Sequence, residues 1–369
     1  MKKLLIVAAA FCMAACSQKT TVEVANNSTT DHTQSSVEVL WQDLDIEGLT
    51  AENVVVKHNG VEIPSQPLII NDQPVMLLFQ ADVKAGETEN YTVEIGTRAD
   101  YPTKAYGRHV PERLDDYAWE NDKVAFRAYG PALEVAPGEM LATPGFDTWV
   151  KCVDTLVVDA RYKRGNYHHN YGDGMDCYKV GRTLGAGASA PLVGETLALS
   201  RNYTSFEVIA NGPIRTVVKL TYAPFKAGDN EVSLTKIISL DAGSHFNHIM
   251  NIYEGDFETL PVVAGFIRHD VKGVITGENY IAMYEPASDS HNPVEDGDIY
   301  FAIIQPGAEF IEQVANHTVA LRNVANKEAV EYLSGVAWSG AGIADIDSWK
   351  AIVEAEAAEY TSPLTVTVK

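Results

Sequence analysis

"LALSRNYTSFEVIANGPIRTVVKLTY", residues 197–222, decides the fold class. Apolar side chains recur at alternate positions through two runs separated by Asn211, Gly212 and Pro213. A period of two sends neighbouring side chains to opposite faces, which is the pattern of a strand. The same alternation returns in EVSLTKIISLDA (231–242), HFNHIMNIYEG (245–255), VVAGFIRHDV (262–271) and DIYFAIIQP (298–306). Upstream it is present in VAFRAYGPALEV (124–135) and TLVVDARY (155–162), both read as strands. Many of these runs last about eight to twelve residues, the length that a large sandwich needs. Helical periodicity is scarce. SWKAIVEAEAAEY (348–360) is the best helix, with Ser348 placed as its N-cap.

Residues 37–100 read differently. Short runs such as VEVLW, NVVVKH, QPLII and YTVEIG are punctuated by HNG, NDQP and KAGE. That rhythm predicts a small β-sandwich. The expected organisation is all-β: a tether and first strand at 16–36, a small N-terminal β-sandwich at 37–100, and one large antiparallel sandwich at 101–369.

The chain opens Met1-Lys2-Lys3 and is apolar from residue 4 to residue 15, too short a run to span a bilayer. Met13-Ala14-Ala15-Cys16 resembles a bacterial lipobox, so residues 1–15 are expected to be a signal peptide and Cys16 the lipidated residue of a membrane-anchored protein. Ser17, Gln18 and Lys19 follow with no acidic run, which points to a periplasm-facing anchor rather than the cell surface.

A net charge of −22 argues against nucleic-acid binding, because phosphate contact needs a basic face. Cys152 and Cys177 are the cysteines beyond Cys16; an oxidising compartment permits them to pair, two buried thiols are the equal alternative, and their spacing does not suit a zinc site. No metal and no cofactor is expected.

Two stretches concentrate ionisable chemistry. In YGRHVPERLDDYAWENDKVAFR (106–127), Pro111 places the first part in a loop or edge strand. Arg108 and Arg113 are candidate carboxylate forks, His109 a candidate base or acid, and Trp119 a candidate sugar-stacking platform. Glu112 and Glu120 are candidate paired acids. An ion-pair network at the join of two domains, with Trp119 as packing, would explain the same residues. In ARYKRGNYHHNYGDGMDCYKVGRTLGAG (160–187), glycines recur among Tyr167, His168, His169, Asp173, Asp176 and Tyr178. Long loops of this kind tend to be functional. Its first half is locally basic, which would suit an anionic sugar. His168 and His169 are adjacent, so on a strand they would face opposite ways. His269 closes an apolar run, as a residue at a strand end would.

GRHVPERLDDYAWENDKVAFRAYGPAL, GFDTWVK, YHHNYGDGMDCYKVGRTLGAG, NGPIR and ISLDAGS resemble a bacterial lipoprotein family catalogued as domain of unknown function 4861. The resemblance covers most of the chain. It implies a galactose-mutarotase-like β-supersandwich for the large domain and a setting among enzymes that degrade uronic-acid polysaccharides. It implies as substrate a uronic-acid-containing oligosaccharide, with a lyase or dehydratase removing water at the terminal uronate. For that chemistry Arg108 or Arg113 would hold the carboxylate, His109 or His169 would be the base, Tyr178 the acid and Trp119 the stacking ring. A mutarotase, epimerase or hydrolase acting on the same sugars, or a non-catalytic glycan-binding lipoprotein, are the alternatives.

Overall fold

The computed structural model describes residues 18–290 and 295–369. The leader and Cys16 lie outside them. The chain is all-β, with two α-helices among the described residues, α1 (Val158–Arg164) and α2 (Ile346–Thr361).

The opening stretch supplies the first two strands of an eight-stranded antiparallel sheet, Tyr203–Ala210 and Arg215–Ala227. Asn230–Asp241, Phe246–Gly255, Ala329–Trp338, Asp298–Ile304, Tyr280–Pro286 and Gly273–Thr276 complete it in that order. Register is held by pairs such as Val218 with Val208 and Ile238 with Ile249. Along Asn230–Asp241 every second residue is buried, so one face of the sheet looks into the core.

Two five-stranded sheets pack over that face. One is centred on Ala186–Val193, Thr259–Ile267 and His317–Ala325. The other runs Gly174–Asp176, Phe146–Lys151, Val124–Ala128, Asp116–Glu120, Tyr106–Val110. An isolated bridge from Phe146 to Gly185 joins them. One apolar core unites the layers, including Trp119, Phe126, Phe146, Ile249, Phe266 and Phe301. Burying each such side chain contributes roughly 1.5–3 kcal/mol.

Lys236 interrupts this core. It is fully buried, donates to Ser189 Oγ at 3.2 Å and lies over the Phe146 and Tyr222 rings. Burial lowers its pKa to about 7. Above that pH the folded protein holds Lys236 neutral while the unfolded chain stays protonated up to the ordinary 10.5, so stability rises with pH across this window. Lys236→Met is expected to raise stability near pH 7 by about 2 kcal/mol. It is also expected to flatten the rise toward pH 10; denaturant midpoints across that range check both.

α2 covers the opposite face of the eight-stranded sheet, burying Trp349, Val353 and Ala357 against Phe246, Tyr300 and Leu333. Its cap is Asp345, not the expected Ser348. Asp345 accepts from Ser348 N at 2.8 Å and from Ser348 Oγ at 2.7 Å, so Ser348 sits one turn inside. Asp345→Ala is expected to lower the thermal midpoint, because the Ser348 amide loses its acceptor. TLVVDARY is corrected as well: its second half is helical. Val158 and Arg161, three apart, both turn to the sheet beneath, a helical spacing that the short apolar run had hidden.

The small sandwich pairs a five-stranded sheet with a three-stranded one, His32–Leu40, Gln73–Val83, Ser65–Ile70. Val22, Val39, Leu77, Phe79 and Tyr91 form its core. Strands Lys19–Ala25 and Thr365–Val368, far apart in sequence, lie side by side in the larger sheet.

Candidate active site

The two charged stretches meet. Strands Tyr106–Val110 through Gly174–Asp176 turn one face to the core, and residues 157–173 lie on the other. Arg108 Nε donates to Asp159 at 2.6 Å. The Val157 and Val158 amides donate to Glu120 at 2.8 Å each. Arg113 Nε reaches the Tyr167 hydroxyl at 3.4 Å.

Alternation explains why this face is charged. Along Asp116–Glu120, Val124–Ala128 and Phe146–Lys151 the core takes Tyr117, Trp119, Phe126 and Phe146. The intervening positions, Asp116, Arg127, Asp147 and Lys151, face α1 and its following loop. At the centre sits Arg127, its side chain 5% exposed. It donates to Asp147 at 2.5 Å and to Asp176 at 3.4 Å, and lies 3.7 Å from Asp116. The rings of Tyr129, Trp149 and Tyr167 surround the guanidinium at 5.0, 5.4 and 5.5 Å.

Three buried carboxylates cannot all ionise against one guanidinium. Burial lifts Asp116 to about 6, with Arg127 and the Gly130 amide pulling against it. Burial and the charge of Asp147 push Asp176 well above the usual carboxylate range, and burial also raises Asp147. Several polar atoms of the cluster are buried without a hydrogen-bond partner: Asp116 Oδ2, Arg127 Nε and Nη1, Arg113 Nη1 and the Tyr162 hydroxyl. Unfilled donors and acceptors gathered in one place are unusual in a folded protein.

The rim is shaped by backbone that few residues tolerate. Leu114 and Asp115 both take left-handed φ, +55° and +63°, immediately before Asp116. A Cβ on Gly130 would meet the Asp115 carbonyl at 2.0 Å, so only glycine permits this approach. Above the cluster Asp176 N donates to the Tyr167 carbonyl at 2.8 Å, which closes the loop. His168 Nδ1 lies 3.2 Å from the Asp176 carbonyl, an atom that only accepts, so Nδ1 is the donor and the neutral ring has its lone pair on Nε2. The His168 side chain is 42% exposed and Arg113 also reaches solvent.

Of the residues singled out from sequence, Arg113, Tyr167, His168 and Asp176 gather here. Asp173 and His169 lie in the same loop. Asp173 is held by Arg164 at 3.0 Å, and the His169 ring meets Tyr171. Others depart. Trp119 is a core residue, 1% exposed, stacked on Phe126 and donating to Asn247 at 2.7 Å; it cannot carry a sugar. Tyr178 is buried with its hydroxyl on the Gly185 and Ile267 carbonyls, so its proton is not available to a ligand. His109 points to the opposite side of its strand from Arg108, stacked on Phe206 and 3.2 Å from Asp115. Both ends of the Arg108 fork are filled, by Glu112 and Asp159, each at 2.6 Å. Glu120 is buried on Lys151 and the helix amides, while Glu112 is exposed on Arg108, so the two acids do not face one site. His269 lies apart, bound to Glu285 at 2.6 Å and to the Lys179 carbonyl at 2.9 Å. Burial works against its charge, yet Glu285 outweighs this and raises its pKa.

Sequence reading passed over Arg127, Asp147 and Tyr162 as site residues. The available signal was a charge inside an otherwise apolar strand, in VAFRA and FDTWVK. Cys152 is exposed, Cys177 buried, and both are free thiols. Among the described residues no group of three or more His, Cys, Asp and Glu is arranged to hold a metal ion.

Fold and cluster together define a two-sandwich all-β protein that carries a buried, incompletely paired charge centre under a Gly-His-Tyr loop. The chain belongs to the family described as domain of unknown function (DUF4861), whose model matches residues 24–366. Uncharacterized protein P7 of Formosa agariphila is 32% identical over 319 residues, covering 80% of this chain and 78% of that protein. Two solved structures from Enterococcus faecalis, an alpha-mannosidase and a protein in glycosyl hydrolase family 38, superpose with a TM-score of 0.48 at 6% and 9% identity. They match 95% of this chain but 46% and 47% of their own, so the chain spans about half their length.

Proposed function

We propose that this protein is a carbohydrate-active enzyme that eliminates water from the terminal uronate of an oligosaccharide, anchored through Cys16 and facing the periplasm. The observation that carries the reading is the meeting of the solvent-reached His168 and Arg113 over the buried Asp176 of the Arg127 cluster. Elimination needs the carboxylate neutralised, a base for the C5 proton and an acid for the departing hydroxyl.

Arg113 suits the first task as the guanidinium beside the cluster that still reaches solvent, with Nη2 held by Glu139 at 2.7 Å. Pairing with it makes the C5 proton more acidic. His168, its tautomer set by the Asp176 carbonyl, takes that proton on Nε2. The C4–O bond breaks as the C4–C5 double bond forms, and Asp176 supplies the proton that makes the leaving hydroxide water. In this scheme His168 replaces His109 and His169 as base, and Asp176 replaces Tyr178 as acid. The test is incubation with saturated uronyl oligosaccharides while following ultraviolet absorbance of the conjugated enoate. Silence across pectin-, ulvan- and glycosaminoglycan-derived substrates would remove the elimination reading.

A further inference from the structure

A cavity of about 560 Å³ lies on the far side of the eight-stranded sheet, where α2 and the small sandwich converge. It shares no residue with the Arg127 cluster. Its wall comes from strand His32–Leu40, the ends of Arg215–Ala227 and Asn230–Asp241, and α2. Its size is that of a small-molecule site.

Its polar lining is incomplete. His32 is 2% exposed, and its Nε2 is buried with no hydrogen-bond partner; its Nδ1 is 3.7 Å from Glu359, beyond hydrogen-bond reach. Ser36 Oγ is likewise buried and unpartnered. Glu359 already accepts from Ser35 Oγ, which orients its carboxylate. Glu356 is sunk in the wall yet still reached by solvent. Burial, with the charges of Glu359 and Asp241, lifts it to about 7, so near neutrality it both donates and accepts. Apolar surface from Phe246, Leu333 and Leu364 faces these groups. A wall of carboxyl, hydroxyl and imidazole edges beside apolar patches matches a sugar ring, which has hydroxyls at its rim and C–H groups on its faces.

The charge pattern selects among sugars. The lining's guanidinium, Arg215, is closed on its own carboxylates: Asp241 at 2.5 and 2.7 Å, and Glu38. His248 is paired with Glu331 at 2.9 Å. A ligand carboxylate would meet Glu356 and Glu359 with neither of these cations free to receive it.

We propose that this cavity binds an uncharged, hydroxyl-rich sugar unit of one or two rings, at a place separate from the site that handles uronate. Glu359 and Glu356 accept its hydroxyls, and His32 and Ser36 complete the ring of contacts. The proposal does not rest on the elimination reading.

The experiment is calorimetric titration of the full chain with neutral mono- and disaccharides (glucose, galactose, xylose, rhamnose, cellobiose) and with glucuronate. At least one neutral sugar should bind, and glucuronate at least about tenfold more weakly. Glu359→Gln should weaken the neutral sugar about tenfold, and Ser36→Ala, a milder change, should weaken it measurably. His168→Ala should leave it unchanged. The proposal is overturned if no neutral sugar binds, if glucuronate binds as well, if both cavity variants keep full affinity while folded by circular dichroism, or if His168→Ala abolishes binding. Absence of enoate in the activity assay would not alter these readouts, so the two ideas fail separately.

Discussion

His168→Ala is expected to slow enoate formation by about 10²–10⁴-fold, the usual worth of a positioned general base. The thermal midpoint should stay close to the parent, because the ring is 42% exposed and its contacts are the Asp176 carbonyl, the edge of the Asp176 carboxyl at 3.9 Å and the Tyr167 ring. The loss should fall on kcat more than on KM, since Arg113 would still hold the carboxylate. His109→Ala, on the other side of its strand, should change the rate little. Asp176→Asn supplies the sharper contrast. It removes a carboxyl that burial and Asp147 hold above its ordinary range, so stability should rise near neutral pH while elimination falls. A His168→Ala variant with an unchanged rate would exclude this histidine as the base, whatever the fate of the substrate class.

The second large effect is on folding. Arg127→Met leaves Asp116, Asp147 and Asp176 buried without the cation that all three approach. Breaking a buried ion cluster from one side costs about 3–5 kcal/mol. The cost should depend on pH in a defined direction. Asp116 has a folded pKa of about 6 against an ordinary 3.8, so between those values the folded protein keeps a proton that the unfolded chain has released. Its contribution is therefore present below the lower value and lost as pH rises through about 6. Asp147 and Asp176 are shifted the same way. Arg127→Met should accordingly be less damaging at pH 5 than at pH 8, as read from denaturant midpoints. Equal losses at both would show that the carboxylates are not the source of the cost.

Much of this architecture was legible. Period-two alternation in 197–222 and 231–242 led directly to adjacent strands of the large sheet. The recurring glycines of 160–187, at 165, 172, 174, 181, 185 and 187, all take positive φ. The stretch at 155–162 misled, because a short apolar run looks the same as strand or helix until its neighbours are known. Here Glu120, distant in sequence, accepts the amides at the start of α1. Trp119 misled for a related reason. Aromatic residues suit both a core and a sugar platform, and the choice depends on which face of Asp116–Glu120 the eight-stranded sheet covers.

Sequence by itself determined the strands, their alternation and the two segments where charge accumulates, because these follow from side-chain period and residue chemistry. It did not determine which alternate set of side chains faces the core. Only the pairing of Asp116–Glu120 with Val124–Ala128, and the roofing of that sheet by residues 157–173, sent Trp119 inward and gathered Asp116, Arg127 and Asp176 into one buried centre. A strand's two faces are equivalent until something packs on one of them, and what packs here is more than a hundred residues away along the chain at Asn247 and about thirty to fifty at α1 and Asp176.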